Sequence, residues 1–550
     1  MRQRHTFFAL LAILAIGTFF RFYRLTTVPP SISHDESAIA YNAYSILKTG
    51  KDEYGTPFPL LFRSFDDYKL PGMVYSSIPA VSVFGRTAMG ARFTSAFFGV
   101  LTLLAFYFLT YELIINHRNK AQLYALATTF FLAISPWHIN FSRQLFESNG
   151  ALFFITLSTY TLLKSLKNIR FLLLSSLLFG ISVYFYYSVR LVIPCIILAY
   201  VLINKKQLLV NKTIVIISVF LFLVSIFPVG TLMFSKDGLE RVSIVSLLND
   251  PNYHKWKDVF IKRYAKNQNV INKILFNQKT ALGMTAIDNY WKNITPLQIF
   301  ESGTGPYGLQ HPFEIPLMFI GLLYLLQYAN PAKWILIAWL FSAFLPGALS
   351  TNQPNALRTL LAAPIFSLFS GLGAIEFLEA IEKRKRLLFG IVPFSLSIIF
   401  FMYTFYQAYF IVNPIRNALG FGDGYEQMVQ YVTTNQKQYD RVVISGYYWR
   451  PYIFMLYWSD IDPHEYQKLN GSRHGWGKYV FTGAQWDKND IFLLSPSYDP
   501  KKLVLSTPEK TLFILAKPEF DNNASRYRQI DTISGRHEPS VFIAALSSQN

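Results

Sequence analysis

Apolar residues along this chain gather in blocks of about membrane thickness, separated by short polar connections rich in Lys and Arg. The blocks lie near residues 6 to 25, 88 to 115, 121 to 136, 149 to 164, 170 to 187, 190 to 204, 213 to 234, 313 to 328, 333 to 349, 358 to 379 and 387 to 412. They lack the alternation of barrel strands, and backbone in hydrocarbon must satisfy its own hydrogen bonds, so about eleven spanning helices are predicted. Arg2/Arg4, His117-Arg118/Lys120, Lys164/Lys167/Arg170, Lys205-Lys206/Lys212, Lys333 and Lys383 to Arg386 all fall on one side of that pattern. The positive-inside rule makes that side cytoplasmic, and an odd number of spans leaves the carboxyl-terminal segment outside. The first block is expected to stay as an anchor: Ala15-Ile16-Gly17 is a weak cleavage site, and Arg21 and Arg24 follow it closely.

Two outside connections are long. Residues 26 to 87 hold two helix-like pieces, 37 to 51 and 70 to 86, with aromatic and aliphatic faces suited to a membrane interface. Residues 235 to 312 form a basic, irregular loop with helical patches, and long loops translocate largely regardless of charge. From about 413 onward the pattern changes: 441 to 447, 490 to 496, 511 to 517 and 541 to 547 read as strands, and 425 to 437 as a helix. The predicted architecture is therefore mainly α, a polytopic membrane bundle over 1–412, followed by an extracytoplasmic α/β domain over 413–550. That tail shows no glycine-rich phosphate loop and no nucleophile elbow.

Composition agrees with a membrane chain: 52% of residues are hydrophobic and 17% aromatic. A formal charge of +19 would suggest nucleic acid in a soluble protein. Here the cations collect between spans, so the charge is read as orientation; membrane lipid is an expected partner and nucleic acid is not. Cys195 is the single cysteine, so no intrachain disulfide is possible and the redox compartment is not read from thiols.

Candidate chemistry sits where the chain leaves the first span. Ser33-His34-Asp35-Glu36 puts two carboxylates side by side, and both are candidate catalytic residues. The same four residues match a capping box, with Ser33 as N-cap and Glu36 reaching back, at the start of a helix that runs to Gly50. That accounts for Glu36 and leaves Asp35 without a structural role. Asp66, Asp67 and Lys69 add a second charged cluster to the loop, for which solvated surface charge is the plain alternative. A second outer turn, SPWHINFSRQLFES over 135 to 148, carries His138, Arg143 and Glu147; on one helix Arg143 and Glu147 would share a face and pair. Arg190 and Arg358 stand at outer span ends, where a guanidinium either snorkels to headgroups or grips a phosphate. In the long loop, Tyr290, Trp291, Tyr307 and His311 are candidate acceptor contacts or interface anchors. No His, Cys and carboxylate arrangement reaches the specificity of a metal site, so no cofactor is required, and a divalent ion on the loop acids is without support.

With these residues in place the chain resembles the GT-C class of integral-membrane glycosyltransferases, in particular the protein O-mannosyltransferase and aminoarabinose-transferase-like group. The resemblance rests on Asp35-Glu36 in the first outer loop, the interfacial helices around it, the turn with Arg143 and Glu147, and the outer α/β tail. It implies transfer of a sugar from a polyprenyl-phosphate donor, usually with inversion, to an acceptor that is protein, lipid or polysaccharide, at the outer face of a prokaryote-like plasma membrane. By the same resemblance Asp35 is the base, and Arg143, Arg190, Arg358 or Lys69 steadies the departing phosphate. The tail lacks the β-trefoil inserts of eukaryotic protein O-mannosyltransferases and the middle region lacks an oligosaccharyltransferase signature, so neither transfer to protein nor en bloc transfer is implied. A transporter or flippase, or a noncatalytic envelope receptor, is the rival reading; transporters place charge at the midplane, and this chain keeps its acids in outer loops.

Overall fold

In the computed structural model, residues 3–548 are described apart from 66, 116–119, 234, 236–237, 239–242, 265–269, 302–306, 329, 384–386, 470–471 and 483–509. The amino-terminal part runs α1 (Gln3–Phe22), α2 (His34–Thr49), α3 (Pro71–Phe84), α4 (Ala88–Ile114), α5 (Ala121–Ile134), α6 (Pro136–Ser142), α7 (Glu147–Ser165), α8 (Phe171–Val183), α9 (Val189–Val210) and α10 (Lys212–Met233). Further apolar helices follow at Glu314–Gln327, Lys333–Ala343, Ala363–Lys383 and Leu387–Tyr406. Every expected apolar block is thus a helix, and the chain is an integral membrane protein.

The blocks are not equivalent. Among the described residues six helices are long and apolar enough to cross a membrane: Arg4–Phe22, Ala88–Ile114, Val189–Val210, Lys212–Leu232, Leu360–Lys383 and Gly390–Arg416. Ala121–Ile134, Phe171–Val183, Glu314–Gln327 and Lys333–Ala348 are shorter, and α7 is diluted by Glu147, Asn149, Lys164 and its hydroxyl residues. Position in the bundle separates them further: 83% of the best window of Leu360–Lys383 is buried inside the protein, against 11% for Lys212–Leu232, which therefore presents its side chains to lipid. Helix Glu314–Gln327 meets Ala363–Lys383 through Gly321 and Gly373. A Cβ on Gly321 would stand 1.9 Å from the Phe369 carbonyl oxygen, so only glycine permits that approach.

The long connection between the first and second spans is built of regular elements. Its two helix-like pieces are α2 and α3, joined by an antiparallel hairpin of β1 (Phe62–Ser64) and β2 (Asp67–Lys69). The capping box at Ser33 is formed in both directions, and α2 ends at Gly50 in a left-handed conformation.

The tail is a mixed six-stranded sheet of β3 (Arg441–Ile444), β4 (Gly475–Trp476), β5 (Tyr479–Phe481), β6 (Thr511–Ala516), β7 (Tyr527–Ile533) and β8 (Phe542–Ser547), in the order β4-β5-β3-β6-β8-β7. The expected strands at 441, 511 and 541 and the helix at 425 are present; the one at 490 to 496 lies outside the described residues. β3 is parallel to β5 and β6, and β6 is buried along its whole length, which is why it reads as a continuous apolar run. The tail is built onto the first loop. Helix Pro451–Trp458 packs on α2, Tyr457 Oη donates to the Thr87 carbonyl at 2.8 Å, and Gln467 Nε2 donates to Asp52 O and Thr49 Oγ1, each at 2.9 Å.

Candidate active site

The acidic pair at the head of α2 points in two directions. Glu36 is fully buried: Oε1 accepts from Arg92 Nε at 2.9 Å and from the Leu145 N–H at 3.1 Å, while Oε2 accepts from the Ser33 N–H at 2.9 Å and from Arg92 Nη2 at 3.3 Å. Arg92, in the first turns of α4, also donates to the carbonyls of Leu25, Pro29 and Ser31. This buried ion pair ties the exit of the first span, the start of α2 and the turn at 145 to one guanidinium. Glu36 was expected beside Asp35 as a catalytic carboxylate; here both of its oxygens are engaged inside the fold and neither is exposed.

Asp35 faces the other way and keeps 38% of its side chain exposed. Its Oδ1 lies 2.8 Å from Lys69 Nζ, and Lys69 reaches Glu147 at 3.8 Å, so one nearly buried ammonium bridges two carboxylates from different loops. Burial alone would lower the Lys69 pKa, but Asp35 and Glu147 outweigh it and hold the ammonium above its ordinary range, fully charged. Local structure explains the meeting. The hairpin delivers Lys69 at the end of β2, and α3 begins at once, with the Gly72 N–H donating to the Tyr184 carbonyl at 2.9 Å. Any side chain at 72 would strike Phe185 at 2.7 Å, so the close approach of the start of α3 to the turn after α8, just beyond Lys69, requires glycine there.

The α/β tail closes this cluster, a contribution that no local pattern in the chain signals. His34 stacks on Trp449 with ring centroids 4.6 Å apart and planes 23° from parallel, and Arg450 lies over the Phe65 ring at 4.6 Å. His34 Nε2 is 3.8 Å from Asp35 Oδ2, and burial holds the imidazole below its usual value despite that carboxylate.

On the far side of Lys69 and Glu147, Tyr186 is in electrostatic reach of both and of Arg358. Tyr186, Tyr187, Ser188, Leu191, Ser350 and Arg358 line a cavity of about 270 Å³. Arg358 donates to the Thr351 carbonyl at 2.6 Å through Nη1. Arg190 packs its guanidinium on Tyr187 at 4.4 Å, with Nε and Nη2 buried and without a hydrogen-bond partner.

The other expected residues go elsewhere. Arg143 and Glu147 do not share a helix: Arg143 caps the end of α6 and Glu147 opens α7. The Arg143 guanidinium is buried and donates to the carbonyls of Phe20, Tyr23 and Val28 at 2.7–2.8 Å, over the Phe410 ring, so it holds the end of the first span rather than offering itself to a phosphate. His138 is buried with Nδ1 2.6 Å from Arg21 Nη2; burial and that charge hold its imidazole well below the ordinary value, and it is a neutral structural partner rather than a pocket wall. Tyr307 and His311 are buried as well, bonded to Asn140 Oδ1 at 3.3 Å and to the Ile134 carbonyl at 3.1 Å, beside a separate cavity of about 170 Å³. Asp67 accepts from the Tyr68 N–H at 2.7 Å in the hairpin, and Asp66 lies outside the described residues. No group of three or more His, Cys, Asp or Glu placed to hold a metal ion occurs among the described residues.

Comparison with known proteins gives this arrangement a family context. Residues 75–231 match the model of the dolichyl-phosphate-mannose-protein mannosyltransferase family. The structure is similar to that of ArnT from Cupriavidus metallidurans bound to undecaprenyl phosphate, with TM-score 0.56 and 11% identity over 100% of this chain and 99% of that one. The apo form of the same ArnT gives 0.53 and 11% identity over 97% of each. The oligosaccharyltransferase of Archaeoglobus fulgidus in its apo form gives 0.51 and 14% identity over 83% of this chain and 64% of that one. No curated protein matches the sequence. At the level of fold the resemblance to the GT-C class holds over the membrane bundle and the carboxyl-terminal sheet region together.

Proposed function

We propose that the chain is a membrane glycosyltransferase that moves a monosaccharide from a polyprenyl-phosphate donor to an extracytoplasmic acceptor by direct, inverting displacement with Asp35 as base. The observation that carries the reading is the half-exposed Asp35 carboxylate paired at 2.8 Å to Lys69, which also faces Glu147. The ArnT relative, similar in fold, is bound to undecaprenyl phosphate, which supports a lipid phosphate as the donor's anchor. The Lys- and Arg-rich short connections support an inside amino terminus, and so an outward-facing Asp35 at the outer side of a plasma membrane.

The chemistry balances with these groups alone. The acceptor oxygen attacks the anomeric carbon, its proton passes to a carboxylate oxygen of Asp35, and the bond from that carbon to the phosphate oxygen breaks, leaving polyprenyl phosphate. An ion-paired carboxylate is a poor base. The Lys69 ammonium has three N–H donors and two anionic partners, so a third anion, the donor phosphate, draws it away from Asp35 and raises that carboxylate's basicity as substrate binds. Lys69 then stabilises charge developing on the departing phosphate, where electrostatic help has most effect. Arg358, which lines the neighbouring cavity, and Arg190, which packs on the lining residue Tyr187, complete the cationic side; the unpartnered Nε and Nη2 of Arg190 suit a phosphate ligand.

The test is transfer by purified protein in detergent from a labelled polyprenyl-phosphate sugar. Asp35→Asn is expected to lower turnover by about 10²–10⁴-fold, the usual worth of a positioned base. Unchanged turnover would remove Asp35 from the mechanism.

A further inference from the structure

A roomy cavity lies away from the Asp35 cluster and plays no part in the proposed transfer. It encloses about 600 Å³, within the range of sites that take a small organic ligand, and it is built from the long outer loop. Its walls combine an aromatic ring with amides and carboxylates: Trp256, Asn252, Asn289, Gln353, Asp250 and Asp288. Trp256 stacks on Phe260 at 5.0 Å, which fixes the ring, yet 39% of its surface stays exposed.

We infer that this cavity binds a glycan chain, as the acceptor; the word acceptor rests on the glycosyl-transfer reading, while the binding does not. The C–H face of a sugar ring is apolar and lies flat on an aromatic face, whereas its hydroxyls each donate and accept. Side-chain amides and carboxylates are the groups that match paired hydroxyls, and an indole supplies the platform. A peptide bound by strand addition finds no strand edge on these walls, since Asn252 and Trp256 lie in helix Pro251–Tyr264 and Asp288 and Asn289 in helix Gln278–Ile294; other modes of peptide binding are what the peptide array below tests. Asp288 pairs with Lys292 at 2.6 Å on the rim, so the lining is polar without a strong net charge, suiting a neutral or amino-bearing sugar chain over a polyanion.

Connectivity places the cavity in line with the chemistry. Ser246 bridges to Ser350, and the Leu247 N–H donates to the Leu349 carbonyl at 3.1 Å, so one short ladder forms a wall common to this cavity and to the one lined by Tyr186 and Arg358. Asn352 and Gln353 in the first cavity and Arg358 in the second belong to one loop. A glycan seated on Trp256 extends along that loop towards Tyr186, Glu147 and Asp35.

The experiment uses the full-length protein in a detergent without a sugar headgroup, applied to an array of hexose, N-acetylhexosamine and pentose oligosaccharides and, separately, to a peptide array. The unmodified protein and Asp35→Asn are expected to bind at least one glycan class alike. Trp256→Ala and Asp288→Asn are expected to weaken that binding at least about tenfold; Asp288 is exposed and its substitution is isosteric, so that variant keeps its fold. No bound glycan, glycan binding that both variants leave unchanged, or peptide binding that both abolish would overturn the inference. Glycan binding without any transfer would instead leave it standing and remove the glycosyl-transfer reading.

Discussion

Glu36→Gln and Asp35→Asn change adjacent residues by the same single atom and are expected to have opposite consequences. Glu36 and Arg92 are both fully buried, with Nε to Oε1 at 2.9 Å. Glutamine keeps one acceptor oxygen but turns the other towards donors as an NH2, facing Arg92 or the Ser33 N–H, and removes the charge that compensates a buried guanidinium. Breaking a buried pair from one side costs about 3–5 kcal/mol. At the lower figure, if the pair is lost before the unfolding barrier is crossed, unfolding accelerates by about 10²-fold. A polytopic protein unfolds irreversibly, so the assay is the half-life of soluble, monodisperse protein in detergent at a fixed elevated temperature. Asp35 is 38% exposed and Lys69 keeps Glu147 at 3.8 Å, so Asp35→Asn is expected to leave that half-life within a few fold while lowering turnover by about 10²–10⁴-fold. Replacing both members of the buried pair, in Glu36→Leu/Arg92→Leu, is expected to be less damaging than the sum of the single changes, because no charge is then stranded. A Glu36→Gln protein as long-lived as the unmodified chain but inactive would refute this division of labour and return Glu36 to the chemistry.

Other expectations follow from the same contacts. Lys69→Met and Arg358→Gln are expected to raise the donor KM, Lys69→Met also lowering kcat, as steady-state transfer with varied donor would show; an unchanged KM in both would place the phosphate elsewhere. Arg143→Leu is expected to shorten thermal half-life and leave the donor KM of the surviving protein unchanged, because its guanidinium serves Phe20, Tyr23 and Val28. Glu53, fully buried in the connection from α2 to α3, has its pKa pushed up from 4.5 to about 8 by burial and by Asp52. The folded state therefore holds a proton that the unfolded chain releases above pH 4.5, so this group's contribution to stability falls as pH rises from about 4.5 to about 8 and is level above that. Thermal half-life across that range is expected to lose part of its alkaline decline in Glu53→Gln; an identical profile would show that the carboxyl is solvated.

Much of this protein is local, and the local part was readable from the chain. Hydrocarbon permits only internally bonded backbone, so the apolar blocks had to be helices. Ser33 and Glu36 satisfy each other within one turn, so the capping box and the helix to Gly50 followed from four residues. The tail's strands at 441, 511 and 541 were visible because buried strands are short apolar runs bounded by turns. What periodicity cannot carry is the identity of a distant partner. Arg143 and Arg92 look alike in sequence as cations in or beside an apolar run, and packing gives each of them three carbonyls, yet it adds the Glu36 carboxylate to Arg92. The spacing of Arg143 and Glu147 suggested a helical pair, but the chain breaks between them, and Glu147 turns to Lys69 instead. Trp449 reaches His34 from more than four hundred residues away, through a sheet whose docking on α2 no local pattern encodes. The sequence by itself determined that an acidic pair stands at a membrane exit and that one member caps a helix; only the tertiary structure decided that the other meets Lys69, because that encounter depends on the hairpin, Gly72 and the turn before α7 arriving together at one point.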